Sequence, residues 1–186
     1  QREFGSYQSV FAFPVGDNHP DATALQVFRH ILGDSQLSSR LAQELREKNA
    51  LVYGFSSNLS FDSDIDDGSL SITANYTAGR SDQVSQAVHK VLTDLLNKGV
   101  TEQEVEAAKA DIMKKRVTSL EDERKIHGML TGQLERNKTL LDREKRDKES
   151  AKLTKADVEA VIRKYIKLDQ FVEVMADQYG QAQATK

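Results

Sequence analysis

The chain has no cysteine, and only two prolines in its 186 residues. Without cysteine there is no disulfide, no thiol nucleophile and no Cys-based zinc site. Such a chain tolerates an oxidising compartment without requiring one. Nowhere is there an apolar run of the ~18–20 residues that would cross a bilayer as a helix. Gln1-Arg2-Glu3 is not followed by the apolar stretch of a signal peptide, and the sequence does not open with methionine. It reads as a piece of a longer precursor or a processed product. Positive charge is not in excess either: 26 Lys and Arg stand against 29 Asp and Glu, a formal net charge of -3. No sequence-wide basic field is available for nucleic acid or an anionic membrane surface.

What is present is ordinary globular composition, 38% hydrophobic and 30% charged, in a chain long enough to bury about 70% of its unfolded surface. Residues 7–15 are aromatic and β-branched and end at Pro14-Val15-Gly16, which predicts a strand and a turn. Asp21 is placed to cap a helix. Leu25, Phe28, Ile31 and Leu32 continue at helical spacing to a stop at Gly33. Leu37, Leu41 and Leu45, four apart, predict a second helix running out near Asn49. The period then changes to two: Leu51, Tyr53, Phe55, Ser57, Leu59 and Phe61 fall on one strand face. An acidic loop separates them from the alternating Leu70, Ile72, Ala74 and Tyr76, which predicts an antiparallel hairpin.

Helical spacing returns with Val84, Val88, Val91, Leu92 and Leu95, closed by Gly99. Thr101-Glu102-Gln103-Glu104 has the spacing of a capping box. Val105, Ala108, Ile112 and Met113 follow it, then a second apolar stripe of Ile126, Met129, Leu130 and Leu134. Residues 142–149 are nearly all charged with interleaved signs, as on a solvated helix. Thr154-Lys155-Ala156-Asp157 starts one more helix, carrying Val158, Val161, Ile162 and Tyr165, and residues 171–175 predict a closing strand. Helices outnumber strands without alternating with them. The fold expected is α+β, helices packed on one face of a largely antiparallel sheet in a two-layer sandwich. Residues 1–6 are expected to be a disordered or linker start, 7–177 a single domain and 178–186 a frayed tail.

Candidate chemistry is sparse. His19, His30, His89 and His127 are scattered, with neither H-E-x-x-H nor H-x-x-E-H present, so each reads as a surface or satisfied core residue and no metal site is expected. Asp62-Ser63-Asp64-Ile65-Asp66-Asp67-Gly68 has the alternating carboxylates of a calcium loop. It places Asp67 where that loop needs Gly and Thr73 where it needs Glu, and a polar hairpin tip is the simpler reading. Asn58, Asn75 and Asn137 begin formal glycosylation sequons, a weak pattern. Arg46 near a helix end and Tyr53 on the next strand offer a fork of donors and a hydroxyl on a stiff arm. The pair suits gripping carbonyl oxygens or stabilising charge that develops on one. Equally, Arg46 can simply interact with its helix C-terminus and Tyr53 serve as an amphipathic core residue.

Ile31-Leu32-Gly33, Leu37-Ser38-Ser39-Arg40-Leu41, Leu45-Arg46-Glu47-Lys48 and Leu51-Val52-Tyr53 together resemble the non-zinc-binding domain of pitrilysin/insulinase-type zinc metalloproteases, relatives of the mitochondrial processing peptidases. The segments beginning at Gly99 and Leu153 extend the resemblance over nearly the whole chain. It implies an α+β domain of the processing-peptidase (inverzincin) type, paired in the parent with a domain that carries H-x-x-E-H and the zinc. That partner lies in the same or another chain, and the two close like a clamshell over a peptide or small protein. By the same resemblance Tyr53 holds the scissile carbonyl and Arg46 a neighbouring one, as substrate-binding and transition-state support, while this chain supplies no zinc ligand. It also implies a periplasmic or otherwise exported bacterial location. The family's usual Gly before Leu-Ala-Tyr is Ala50 here, and the Gly usual after Ile-Leu-Gly is Asp34. An inactive relative serving as a structural or peptide-binding subunit is the alternative.

Overall fold

A computed structural model describes residues 3–136 and 138–177. The sequon at Asn137 and the tail from 178 onward lie outside the described residues. Strand β1 (Phe4–Phe13) begins ahead of the boundary expected at Tyr7, with Phe4 already paired to Thr77. It is followed by β2 (Val52–Phe61), β3 (Gly68–Thr77) and β4 (Val172–Ala176). The sheet order is β2-β3-β1-β4, every neighbouring pair antiparallel. The hairpin and the return of the last strand to the first are therefore as the alternation indicated.

One sheet face is covered. Tyr7, Phe11 and Phe13 of β1, Phe55 of β2, and Leu70, Ile72, Ala74 and Tyr76 of β3 are all buried. Their neighbours Ser56, Asn58, Ser60, Asn75 and Thr77 face solvent. Packed on the covered face are α1 (Ala22–Arg29), α2 (Ser81–Lys98) and α6 (Lys155–Tyr165), whose Phe28, Val88, Leu92 and Ile162 join the same core. Burying a large apolar side chain in this way contributes about 1.5–3 kcal/mol. The carbonyls of Phe55 and Ser57 on the edge strand β2 accept hydrogen bonds from the Gln36 amide, at 2.9 Å, and Arg29, at 3.3 Å. Side chains thus occupy a stretch of edge that would otherwise invite strand pairing.

Several expectations need correction. The helix does not stop at Gly33 but widens into a π-helical turn, His30–Asp34. Gly33 is there for close approach, since a Cβ would come within 2.8 Å of Leu41 and Ser57 side-chain atoms. The next helix starts at Arg40, so Leu37 falls outside it and is 77% exposed. Asp21 makes no side-chain cap; its carboxylate accepts instead from the Tyr165 hydroxyl at 2.6 Å and from Lys164 at 2.8 Å, tying α1 to α6.

The stripe Ile126, Met129, Leu130 and Leu134 has the spacing of a packed helix face. On α4 (Glu123–Glu135), however, no residue is buried and Leu134 is 79% exposed. Of its neighbours α3 (Glu102–Thr118), the 3-10 turn Ser119–Glu121 and α5 (Leu140–Lys152), α3 still sends Val105 and Ala108 into the core. The capping boxes at Thr101/Glu104 and Thr154/Asp157 are both formed. The N-terminus of α2 is satisfied from a distance: Asp177 accepts from the Gly79 and Ser81 amides at 2.7 and 3.2 Å.

Candidate functional site

Arg46 sits on a π-helical segment, Ala42–Lys48. Two ion pairs fix that segment. Arg40, just before it, grips Glu104 of α3 with Nε and Nη2 at 2.5 and 2.9 Å. The largest influence on Arg40 is this hydrogen bond, which raises its pKa. Glu44 lies 2.8 Å from Lys90 of α2 and 3.3 Å from Lys48. The Lys90 hydrogen bond is the chief reason its carboxyl is held below the ordinary value. Both anchors concern residues within two turns of Arg46. The Arg46 side chain itself is exposed and, among the described residues, hydrogen-bonds the Gln36 carbonyl, at 3.5 Å.

The segment ends in a left-handed cap. Ala50 has φ 46° and donates to the Arg46 carbonyl at 3.0 Å, while Leu51 donates to the Leu45 carbonyl at 2.8 Å. These nested bonds are each one residue longer than the pair that closes an α-helix in the same way, as a π-helical ending requires. Glycine takes this backbone conformation freely, and a Cβ is strained in it. Ala50→Gly is expected to stabilise the chain by about 0.5–1 kcal/mol, raising the melting temperature by roughly 1–4 °C for a chain of this size. An unchanged or lower melting temperature would show that the cap is not strained.

Tyr53 departs from the face expected of it. The pairing of β2 with β3 shifts between Val52, opposite Tyr76, and Gly54, opposite Asn75, so Tyr53 is the extra residue of a β-bulge. A bulge reverses the side-chain alternation on one side of it. Val52 packs against the core on one side of the bulge and Phe55 is buried on the other, while Tyr53 between them turns outward and is 62% exposed. It is not a core residue. Its ring meets Phe4 edge-on with centroids 5.3 Å apart, and its hydroxyl is 2.9 Å from Thr77 Oγ1. Both candidate side chains therefore point away from the core, one beyond a left-handed cap and the other out of a bulge.

A second cluster was not anticipated. Among the described residues, His30, Asp34 and Asp111 form a group of three metal-capable side chains. His30 Nδ1 is 2.8 Å from Asp34 Oδ2, and Nε2 is 3.1 Å from Asp111 Oδ2. The Nδ1 contact is a close charge pairing whose angle is off that of an ideal hydrogen bond. His30 is thus a core histidine whose two ring nitrogens each face a carboxylate at ion-pair distance. Lys115 Nζ lies 2.7 Å from Asp34 Oδ2 and 3.2 Å from Asp111 Oδ2, and Arg29 is 2.7 Å from Asp34 Oδ1. Burial pushes the imidazole pKa down, against the pull of Asp34. Burial works the other way on Asp34, but the Lys115 hydrogen bond and the Arg29 charge outweigh it and hold its carboxyl low. A cavity of about 420 Å³ opens against His30 and Asp111, walled by Ser35, Ser38, Ser39 and Glu104. The i, i+4 spacing of His30 and Asp34 was readable beforehand; the arrival of Asp111 and Lys115 from α3 was not.

The family description "Peptidase M16 inactive domain" matches residues 4–112, more than half of the chain and the part that holds Arg46, the left-handed cap and Tyr53. The chain belongs to the peptidase M16 family, as its inactive domain. An uncharacterized zinc protease of Mycobacterium leprae is 39% identical over 99 residues, 53% of this chain and 22% of that protein. The matched stretch thus spans under a quarter of that relative's length. The crystal structure of a peptidase M16 inactive domain from Pseudomonas fluorescens superposes with a TM-score of 0.82 at 26% identity, covering 95% of this chain and 41% of that one. The periplasmic protease PqqL of Escherichia coli shares the fold, with a TM-score of 0.73 at 17% identity over 95% of this chain and 19% of that one. No helix of the described residues is long and apolar enough to cross a membrane.

Proposed function

We propose that this M16 domain is the substrate-contacting, non-zinc-binding half of a zinc-dependent endopeptidase, closing over a peptide held by a partner domain that carries H-x-x-E-H. The observation that carries the reading is the outward presentation of Arg46 and Tyr53 from two rigid irregularities, a π-helical cap and a β-bulge. Such features re-aim side chains and concentrate at functional sites. The open sheet face beside them, with Ser56, Asn58, Asn75 and Thr77, is polar and uncovered, as a wall facing extended peptide needs to be. Zinc, its activated water and the general-base carboxylate belong to the partner domain, and no step of that chemistry is routed through this chain. What Tyr53 and Arg46 supply is hydrogen-bond donation to peptide carbonyls. The fold likeness to a periplasmic protease supports an exported location.

The test is cleavage of a quenched fluorescent peptide library by the full-length parent and by this domain alone. The parent should cleave and lose activity to a chelator, while the isolated domain is inert. A chelator-sensitive parent that keeps its rate after removal of this domain would sink the reading. A parent without activity would favour the peptide-binding subunit instead.

A further inference from the structure

We propose that the recess between α3, α4 and α5 binds a small phosphate-bearing anion, gripped by Arg116, Arg136, Arg143 and Arg146. The recess has a volume of about 310 Å³, and its lining holds these four arginines and no carboxylate. Such a gathering is not a matter of composition, since acidic residues outnumber basic ones, 29 to 26. A cleft lined by one sign of charge and walled by low-dielectric protein concentrates ions of the other sign.

Two of the four charges are answered by the chain itself. Arg116 pairs with Asp147, and Arg146 lies 2.7 Å from Asp17, which Lys138 shares. Arg143 is not answered in this way. Its guanidinium donates to the Met129 thioether, to the Arg116 carbonyl at 3.2 Å and to Ser119 Oγ at 3.5 Å. All three acceptors are neutral, and a thioether is a weak one. Arg136 makes no ion pair among the described residues and acts on Asp17 only at longer range. Every Asp and Glu of the sequence is described, so no carboxylate side chain is left over to complete either pair. The crowding is felt within the cluster: burial first, then the charges of Arg143 and Arg146, push the pKa of Arg116 down. An anion among the guanidiniums relieves that repulsion.

Four lining guanidiniums less the two paired ones leave two positive charges, which a dianion matches. The donors come from α3, from the end of α4 and from α5, and the several oxygens of a phosphate can meet forks from different sides. A carboxylate has one charge and two oxygens in one plane, enough for a single fork. The floor is built for close approach. Gly128 and Gly132 stand one turn apart on α4, and a Cβ on either would meet nothing within 4 Å. Packing therefore does not demand these glycines, and each weakens the helix it sits in. Nothing on α4 is buried either, so a bound anion would clasp a weakly anchored helix to α3 and α5. The volume lies at the low end of the ~300–1,000 Å³ of small-ligand sites, with room for a phosphomonoester as well as free phosphate.

The 186-residue chain is titrated by calorimetry with sodium phosphate, with glycerol 3-phosphate and, at matched ionic strength, with sodium acetate. The expected result is one saturable site for phosphate compounds and none for acetate. Tighter binding of glycerol 3-phosphate assigns the site to a phosphomonoester, and binding no tighter than that of phosphate assigns it to the free ion. Arg136→Gln, at an exposed position without an ion pair, should weaken binding about tenfold, the loss of one charged hydrogen bond. Gly132→Glu should act in two directions. Its carboxylate supplies an internal anion and abolishes binding, while the better helix former raises the melting temperature by roughly 2–4 °C. A misfolded variant would lose binding and melt lower, so the two causes are told apart. No saturable binding of either phosphate compound to the wild type would overturn the proposal. So would acetate binding as tightly, or an affinity indifferent to both substitutions.

Discussion

Tyr53→Phe in the full-length parent is expected to lower kcat about a hundredfold with KM nearly unmoved, the usual loss when one transition-state donor is removed. The hydroxyl can act this way only if it is free to leave its own chain. Its contact with Thr77 Oγ1 is between exposed groups, so exchanging it for a substrate oxygen costs little. The ring stays where it is, because the bulge and the edge-on contact with Phe4 hold it independently of the hydroxyl. Arg46→Ala should behave differently. A guanidinium on a neighbouring carbonyl binds ground state and transition state alike, so its loss should appear mainly as a higher KM. Both side chains are exposed, and surface changes of this kind usually shift stability by within about 0.5 kcal/mol. Melting temperatures therefore separate a lost contact from a lost fold. A Tyr53→Phe enzyme with undiminished kcat would reduce Tyr53 to a surface aromatic.

Period and punctuation made most of the fold legible. The stripe from Val84 to Leu95 and the alternation from Leu70 to Tyr76 face the core as their spacing demands, because one buried face leaves no other register. The boxes at Thr101 and Thr154 marked true helix starts, since their chemistry is local. Misses fell where backbone geometry departs from the regular periods. A bulge at Tyr53 has no compositional signature, so strict alternation put that side chain in the core. Apolar spacing alone could not say how much of α4 meets the rest of the fold: Ile126 and Met129 are half-buried, and Leu130 and Leu134 are exposed. The residue types of the candidate pair were readable through the resemblance, and Ala50 was rightly singled out as the odd residue at the turn. Its left-handed φ shows what the missing glycine would have supplied. The grouping around His30 has no local signature, because Asp111 and Lys115 reach it from α3 and no local pattern announces a tertiary cluster.

The largest effect on stability is expected at Glu173, which fastens the short edge strand β4 to both layers. The Tyr7 hydroxyl donates to its Oε1 at 2.6 Å, Ser85 Oγ lies 3.1 Å from Oε1, and His89 Nε2 is 2.9 Å from Oε2. Tyr7 is only 1% exposed, so deleting the carboxylate strands a phenol in the core. Glu173→Ala should cost about 2–4 kcal/mol, the sum of a charged hydrogen bond and an orphaned donor. That is a fall in melting temperature of roughly 4–16 °C for a domain of this length. Tyr7→Phe on the same background should recover part of the loss by removing the orphan, which a double-mutant cycle measures directly. The carboxylate also sets an acid limit. Burial acts to raise its pKa, but the Tyr7 and His89 hydrogen bonds prevail and hold it below its ordinary 4.5. A group depressed on folding stabilises fully above its unfolded value and loses that contribution as pH falls through the folded one. The gap between wild type and Glu173→Gln should therefore be widest near neutrality and shrink below about pH 4.5. A gap that stays constant down to pH 3 would show that hydrogen bonding alone, and not the charge, fastens the strand.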